Sequence, residues 1–164
     1  MKSFNLTAFF FLSLLAIQMV TAESDKPNIL IIFTDDQGYA DLGCFGSKEN
    51  QTPVLDKLAR EGTKFISFYA QPVCGPSRSA LLTGRYPWRA RMKHWVLFGV
   101  QGDPLIEKDR PTLGTLFQSQ GYDTAMVGKW HLGSVKEALP LAHGFQTYFG
   151  VPYSVDMGFA YNNR

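Results

Sequence analysis

The run Asn28-Ile29-Leu30-Ile31-Ile32-Phe33 constrains this chain more than any other segment. It is continuous, apolar and rich in β-branched residues, the pattern of a strand covered on both faces rather than one. Such a strand belongs in a parallel sheet with helices on either side. It ends in Thr34-Asp35-Asp36-Gln37-Gly38, a polar loop at the carboxyl end of the strand. Further along, Val54, Leu55, Leu58 and Ala59 have helical spacing, with Thr52 as cap, Pro53 in the first turn and Gly62 as stop. Lys64 to Ala70 reads as a second strand, and Ser77 to Gly84 as a helix opening just after Cys74. Residues 85–111, where Arg85, Arg89, Arg91 and Lys93 interleave with Trp88 and Trp95, read as an irregular excursion. Thr112 caps a helix that runs to Gln120 and is ended by Gly121. Tyr122 to Val127 then forms a third strand, finishing in Gly128-Lys129-Trp130-His131. This order predicts an α/β domain with a largely parallel sheet. Ligands in such sheets sit beyond the carboxyl ends of the strands. Three such ends here carry Asp35-Asp36, Cys74 and Lys129 with His131.

Composition sets the class. With 45% hydrophobic and 18% charged residues over 164 positions, the chain can build a core and lacks the charge excess of a disordered one. A net charge of +2 with no clustered basic face offers nucleic acid no footprint. Lys2 followed by the apolar stretch Ala8 to Val20, then Val20-Thr21-Ala22 before a polar run, predicts a signal peptide over residues 1–22. The apolar stretch is shorter than the ~20 residues a spanning helix needs, so export without a stable membrane span is expected. Secreted, periplasmic and lysosomal destinations are equally compatible with that. Cys44 and Cys74 are too few to be a disulfide framework in a core-forming chain. Asn50-Gln51-Thr52 is a weak glycosylation sequon.

Two groupings suggest chemistry from residue type alone. Asp35 and Asp36 repel each other, and a divalent cation relieves that repulsion; hard oxygen donors favour Ca²⁺ or Mg²⁺. The plainer alternative is a solvated loop in which one Asp caps the next helix. Cys74 precedes a helix N-terminus, where backbone N–H groups and the dipole favour an anion, and Arg78 follows one turn later. The plainer alternative there is a structural cysteine before a proline-started helix. His94, beside Lys93, fits a solvated charged loop, and His143-Gly144-Phe145 fits a packed turn. Trp88, Trp95 and Trp130 fit rim or core positions.

The stretch Val73-Cys-Gly-Pro-Ser-Arg-Ser-Ala-Leu-Leu-Thr-Gly-Arg85 resembles the signature of type I sulfatases, in which this cysteine is oxidised to Cα-formylglycine. Pro27 to Tyr39 resembles the first strand and metal loop of that family. Gly121 to Gly133 resembles its second signature, and Gly150 to Met157 is similar to a segment of arylsulfatase A-like members. The resemblance implies an alkaline-phosphatase-like fold, incomplete here, with residues 23–164 the N-terminal part of a sulfatase catalytic domain. It implies a sulfuric ester hydrolase acting on an aryl or carbohydrate sulfate, matured by a formylglycine-generating or sulfatase-maturating enzyme. By position, Asp35, Asp36 and the residue made from Cys74 would be Ca²⁺ ligands, with Mg²⁺ less suited. Arg78 would steady the nucleophile, Lys129 would bind it and the sulfate, His131 would hydrogen-bond its hydroxyl, and Ser154 would touch the sulfate. One hydroxyl of the aldehyde hydrate would attack sulfur, and the other would expel sulfate as the carbonyl re-forms.

The second Asp/Asn metal pair, second histidine and further lysine of the family pattern are not found within these 164 residues. Because Ca²⁺ takes about 6–8 oxygens, the chain by itself is expected neither to bind the ion tightly nor to turn over. Two other readings stay open: a phosphonate monoester or phosphodiester hydrolase of the same superfamily, and a catalytically inert fragment.

Overall fold

The computed structural model describes residues 26–90 and 106–154. The expected signal peptide lies outside them, as do Arg91, Lys93, His94 and Trp95. Among the described residues no helix is long and apolar enough to cross a membrane. The chain divides into two compact units, one up to Thr34 and one from Asp35 onward.

In the first unit, residues 26–34 form no regular element and are exposed, Leu30 to 84%. The strand expected over Asn28–Phe33 is therefore not formed among the described residues. An apolar run covered on both faces needs ladder partners and flanking layers, and the described residues contain a single sheet of two other strands. The second expected strand, 64–70, fails in the same way: Phe65, Ile66, Phe68 and Tyr69 are exposed on irregular backbone.

The second unit carries the regular structure. Strands β1 (Ala125–Lys129) and β2 (Thr147–Val151) pair in parallel, with Ala125 opposite Thr147 and Lys129 opposite Val151. The parallel pairing requires a crossover, made here by residues 130–146 with short 3₁₀ turns at Lys136–Ala138 and Pro140–His143. β1 falls three residues later than its expected start at Tyr122. β2 was not anticipated, although its β-branched and aromatic residues between Gly144 and Pro152 carry a strand signal. The ladder depends on Gly150, because a Cβ there would collide with the backbone of Gly128. Alternation divides the faces: Met126 and Tyr148 pack inward, whereas Val127 and Phe149, paired in register, are 78% and 81% exposed.

Three helices precede this pair in sequence. Helix α1 (Pro53–Glu61) starts with proline at its first position, as expected, and ends at Gly62. Thr52 departs from its expected role. Its hydroxyl does not cap the helix but accepts from the Gly43 N–H at 2.8 Å and donates to Asp56 at 3.0 Å, and Asp56 also accepts from the Cys44 N–H at 2.6 Å. The helix thus pins the preceding loop. Helix α2 (Cys74–Thr83) includes Cys74 as its first residue, and Gly75 to Ser79 are buried. Helix α3 (Leu113–Ser119) has Thr112 as a true cap, accepting from the Thr115 N–H at 3.2 Å. The Thr112 hydroxyl also donates to the His143 carbonyl at 2.6 Å, tying α3 to the crossover. Gly144 follows with φ +85°, its missing Cβ leaving room for the backbone of Gly114 and Thr115. The core lies beside β1: Ile106, Trp130 and Leu132 are fully buried, with Leu82, Met126, Phe145 and Tyr148 against them.

Candidate active site

Three separate stretches of the second unit meet: the loop at Asp35, the start of α2, and the carboxyl end of β1. Cys74, half-buried at the first position of α2, has its Sγ 3.2 Å from His131 Nδ1, with the donor set by the imidazole tautomer. One turn into α2, Arg78 is buried and donates from its guanidinium to the Lys129 carbonyl at 2.6 Å. A second nitrogen of the same guanidinium lies 3.6 Å from Asp35 Oδ2. Lys129 itself reaches that oxygen with its Nζ at 2.7 Å. One carboxylate oxygen thus organises two cations from different elements. The Asp35 side chain is 41% exposed, so the pair with Lys129 stabilises the fold by no more than on the order of 1 kcal/mol. Its consequence is positional: the ammonium and the guanidinium are held together at one carboxylate oxygen.

Backbone conformation marks the same place. Asp36, with φ 52°, and His131, with φ 60°, are the non-glycine residues at positive φ among those described. For a non-glycine residue the left-handed region costs about 1–3 kcal/mol and persists only where the surroundings enforce it. At His131 they do. The Trp130 N–H donates to the Val151 carbonyl at 2.9 Å and the His131 N–H to the Pro152 carbonyl at 3.0 Å, so the ladder continues past β1 into the turn. That turn aims His131, 1% exposed, at Cys74.

The sequence-predicted residues therefore separate into groups. Cys74 contacts His131, while Asp35, Arg78 and Lys129 contact one another. Asp36 is exposed and makes no ion pair or hydrogen bond among the described residues, which leaves its carboxylate available beside Asp35. Ser154 is half-buried two residues beyond the carbonyl that accepts from His131, and its hydroxyl contacts none of the site residues. No group of three or more His, Cys, Asp or Glu able to hold a metal ion occurs among the described residues. The adjacent carboxylates of Asp35 and Asp36 suit a hard cation by donor type but supply only part of the oxygen shell that Ca²⁺ takes.

Two features behind the site were not read as functional from sequence. Trp130 is core, yet in sequence it lies between Lys129, which reaches Asp35, and His131, which faces the cysteine. His143 is fully buried and, among the described residues, neither ring nitrogen has a hydrogen-bond partner; burial pushes its pKa down. The packed turn expected at 143–145 gave no hint of that imidazole's isolation. Trp88 is exposed and stacks on Tyr86 at 4.5 Å.

Comparison with known proteins follows the same residues. The Sulfatase family model matches residues 27–160. Bovine (Bos taurus) arylsulfatase A is 46% identical over 149 residues, covering 88% of this chain and 29% of the relative. Arylsulfatase G of Rattus norvegicus is 47% identical over 135 residues, covering 81% and 25%. Among solved structures, Ps i-CgsB superposes with a TM-score of 0.72 at 40% identity, over 77% of this chain and 28% of that one. It has also been solved in complex with k-i-k-neocarrahexaose. The PsFucS1 sulfatase from Pseudoalteromonas sp. gives a TM-score of 0.72 at 35% identity, over 90% and 30%. The chain thus spans under a third of the length of the relatives it matches, and its fold is that of their α/β, alkaline-phosphatase-like domain, present here in part.

Proposed function

The chain belongs to the sulfatase family, and from that premise we propose that the complete protein carrying it hydrolyses an aryl or carbohydrate sulfate ester at Cys74. One observation carries the reading: three separate stretches converge in two contact groups, Cys74 with His131 and Asp35 with Arg78 and Lys129, and both groups share the turn Lys129-Trp130-His131. Residues 1–22 act as an export signal in this reading, and 23–164 contribute the N-terminal part of the catalytic domain.

Cys74 is the residue that a formylglycine-generating or sulfatase-maturating enzyme would convert. The hydrated formylglycine supplies an oxygen nucleophile on a carbon that can release sulfate by returning to a carbonyl. In the unconverted chain Cys74 Sγ stands for that hydroxyl. His131 Nδ1, 3.2 Å away, is the group that holds or moves a proton at this atom. Lys129 and Arg78 place positive charge where the sulfuryl oxygens gather negative charge, a stabilisation that is commonly the largest contribution to such transfers. Asp35 keeps both cations from folding away into solvent. Asp35, Asp36 and the side chain at 74 would hold Ca²⁺, in preference to Mg²⁺, which would add positive charge beside the same anion. Ser154 would complete the sulfate pocket.

The test uses the complete protein. An aryl sulfate should be cleaved, the tryptic peptide containing Cys74 should have a lower mass than the thiol form, and Cys74→Ala should cut kcat by more than about 10³-fold while sparing the fold. Turnover of phosphonate monoesters or phosphodiesters with no action on sulfates would move the substrate class within the superfamily. Retained activity in Cys74→Ala would remove the nucleophile assignment.

A further inference from the structure

Lys129 and His131 are separated by one residue that points the opposite way. Trp130 is fully buried. Its Nε1–H donates to the Ala138 carbonyl at 2.6 Å. Its ring stacks at 5.8 Å on the His143 imidazole and meets Phe145 edge-on at 6.4 Å. Ala138 is itself fully buried, and its N–H donates to the Val135 carbonyl at 2.8 Å, so the acceptor belongs to a tied turn. The surroundings come from this chain's own crossover.

We propose that Trp130 is a positioning residue for Lys129 and His131: its indole, tied to Ala138 and held against His143 and Phe145, sets the backbone frame from which both side chains reach the site. This rests on the activity proposed above. The physical reason is the unfavourable φ at His131, which must be enforced from outside the residue. Two main-chain hydrogen bonds hold the turn on the β2 side, to Val151 and Pro152. On the other side Trp130 is the anchor, and its single N–H donor selects one ring orientation among those that the apolar contacts would accept. Losing that bond lets the ring, and with it the turn, relax. A displacement on the order of 1 Å at such a site costs about 10²-fold in rate.

Trp130→Phe in the complete protein is the deciding variant, since it keeps an aromatic ring and deletes the donor. Expected is a fall in kcat of about 10–100-fold with KM changed less than about threefold, in protein that remains folded by circular dichroism. A merely structural role would lower the folded fraction and leave kcat per folded molecule intact. A kcat within twofold of wild type overturns the proposal. Should Trp130→Phe not fold, Phe145→Leu decides: it removes the edge contact on the indole without touching the site, and an unchanged kcat overturns the proposal where a fall of about threefold supports it. Rates are taken on whichever ester class the wild type hydrolyses. A wild type inert on sulfates, phosphonates and phosphodiesters would end the activity reading alone. Positioning is then judged by a crystal structure of Trp130→Phe, where an unaltered Lys129–Asp35 contact of 2.7 Å refutes it.

Discussion

Residues 28–36 and 125–131 have the same design in sequence, an apolar run that hands over to charged or ionisable side chains, yet they end in different physical states. The second run forms β1, is paired with β2, and continues into Trp130 and Leu132, both fully buried. The first is irregular, and Leu30 within it is 84% exposed. Its sequence is the more apolar of the two. An apolar strand sequence therefore states a need for neighbours and does not by itself create the strand. β1 has a partner supplied by residues 147–151 and cover from the crossover between them. The described residues supply neither to 28–33.

The comparison can be broken at its stronger end first. Trp130→Ala removes the largest buried side chain behind β1 and should destabilise this chain by about 3–5 kcal/mol in urea unfolding. A loss below about 1 kcal/mol would mean that the cluster beside β1 is not the core of the unit.

Next in size is an acid sensitivity confined to the same side. His143 has its pKa lowered by burial, so the unfolded chain binds a proton more readily than the folded one below the ordinary histidine value of 6.5. Its contribution to stability is complete above pH 6.5 and is lost as pH falls from there through the lowered folded value. The slope for one proton is at most about 1.4 kcal/mol per pH unit. Unfolding of wild type and His143→Leu between pH 8 and 5 should show a steeper acid loss in the wild type. Parallel profiles would show that the imidazole is already solvated or partnered in the folded chain.

The smallest effect belongs to the other segment. Ile32→Ala should alter the stability of this chain by no more than about 0.5 kcal/mol, as for a surface position. A loss above about 1.5 kcal/mol would show that 28–33 is buried in solution and would erase the contrast.

Legibility followed the range of the interaction. The Thr112 cap, the Pro53 start and the α2 segment were readable because they are settled within one or two helical turns. Thr52 looked like the same kind of cap, but a long-range contact with Gly43 took its hydroxyl. At the site, the cysteine, arginine, lysine and histidine were all singled out from sequence. What could not be read was that Asp35, and not Asp36, takes both cations. Adjacent carboxylates are indistinguishable in sequence, and only the turn at Asp36, with its positive φ, sends them in different directions.

Sequence alone determined the chemical alphabet of this protein: a cysteine opening a small-residue helix, an arginine one turn on, paired aspartates, and a lysine and histidine flanking a tryptophan. These are local patterns, legible because residue type and spacing along one element suffice to specify them. Tertiary structure alone decided which atoms meet, the Cys74 sulfur with His131 Nδ1 and one Asp35 oxygen with Lys129 and Arg78. Those meetings join residues far apart in the chain, and their distances are set by the pairing of β1 with β2 and the burial of Trp130, which no local signal encodes.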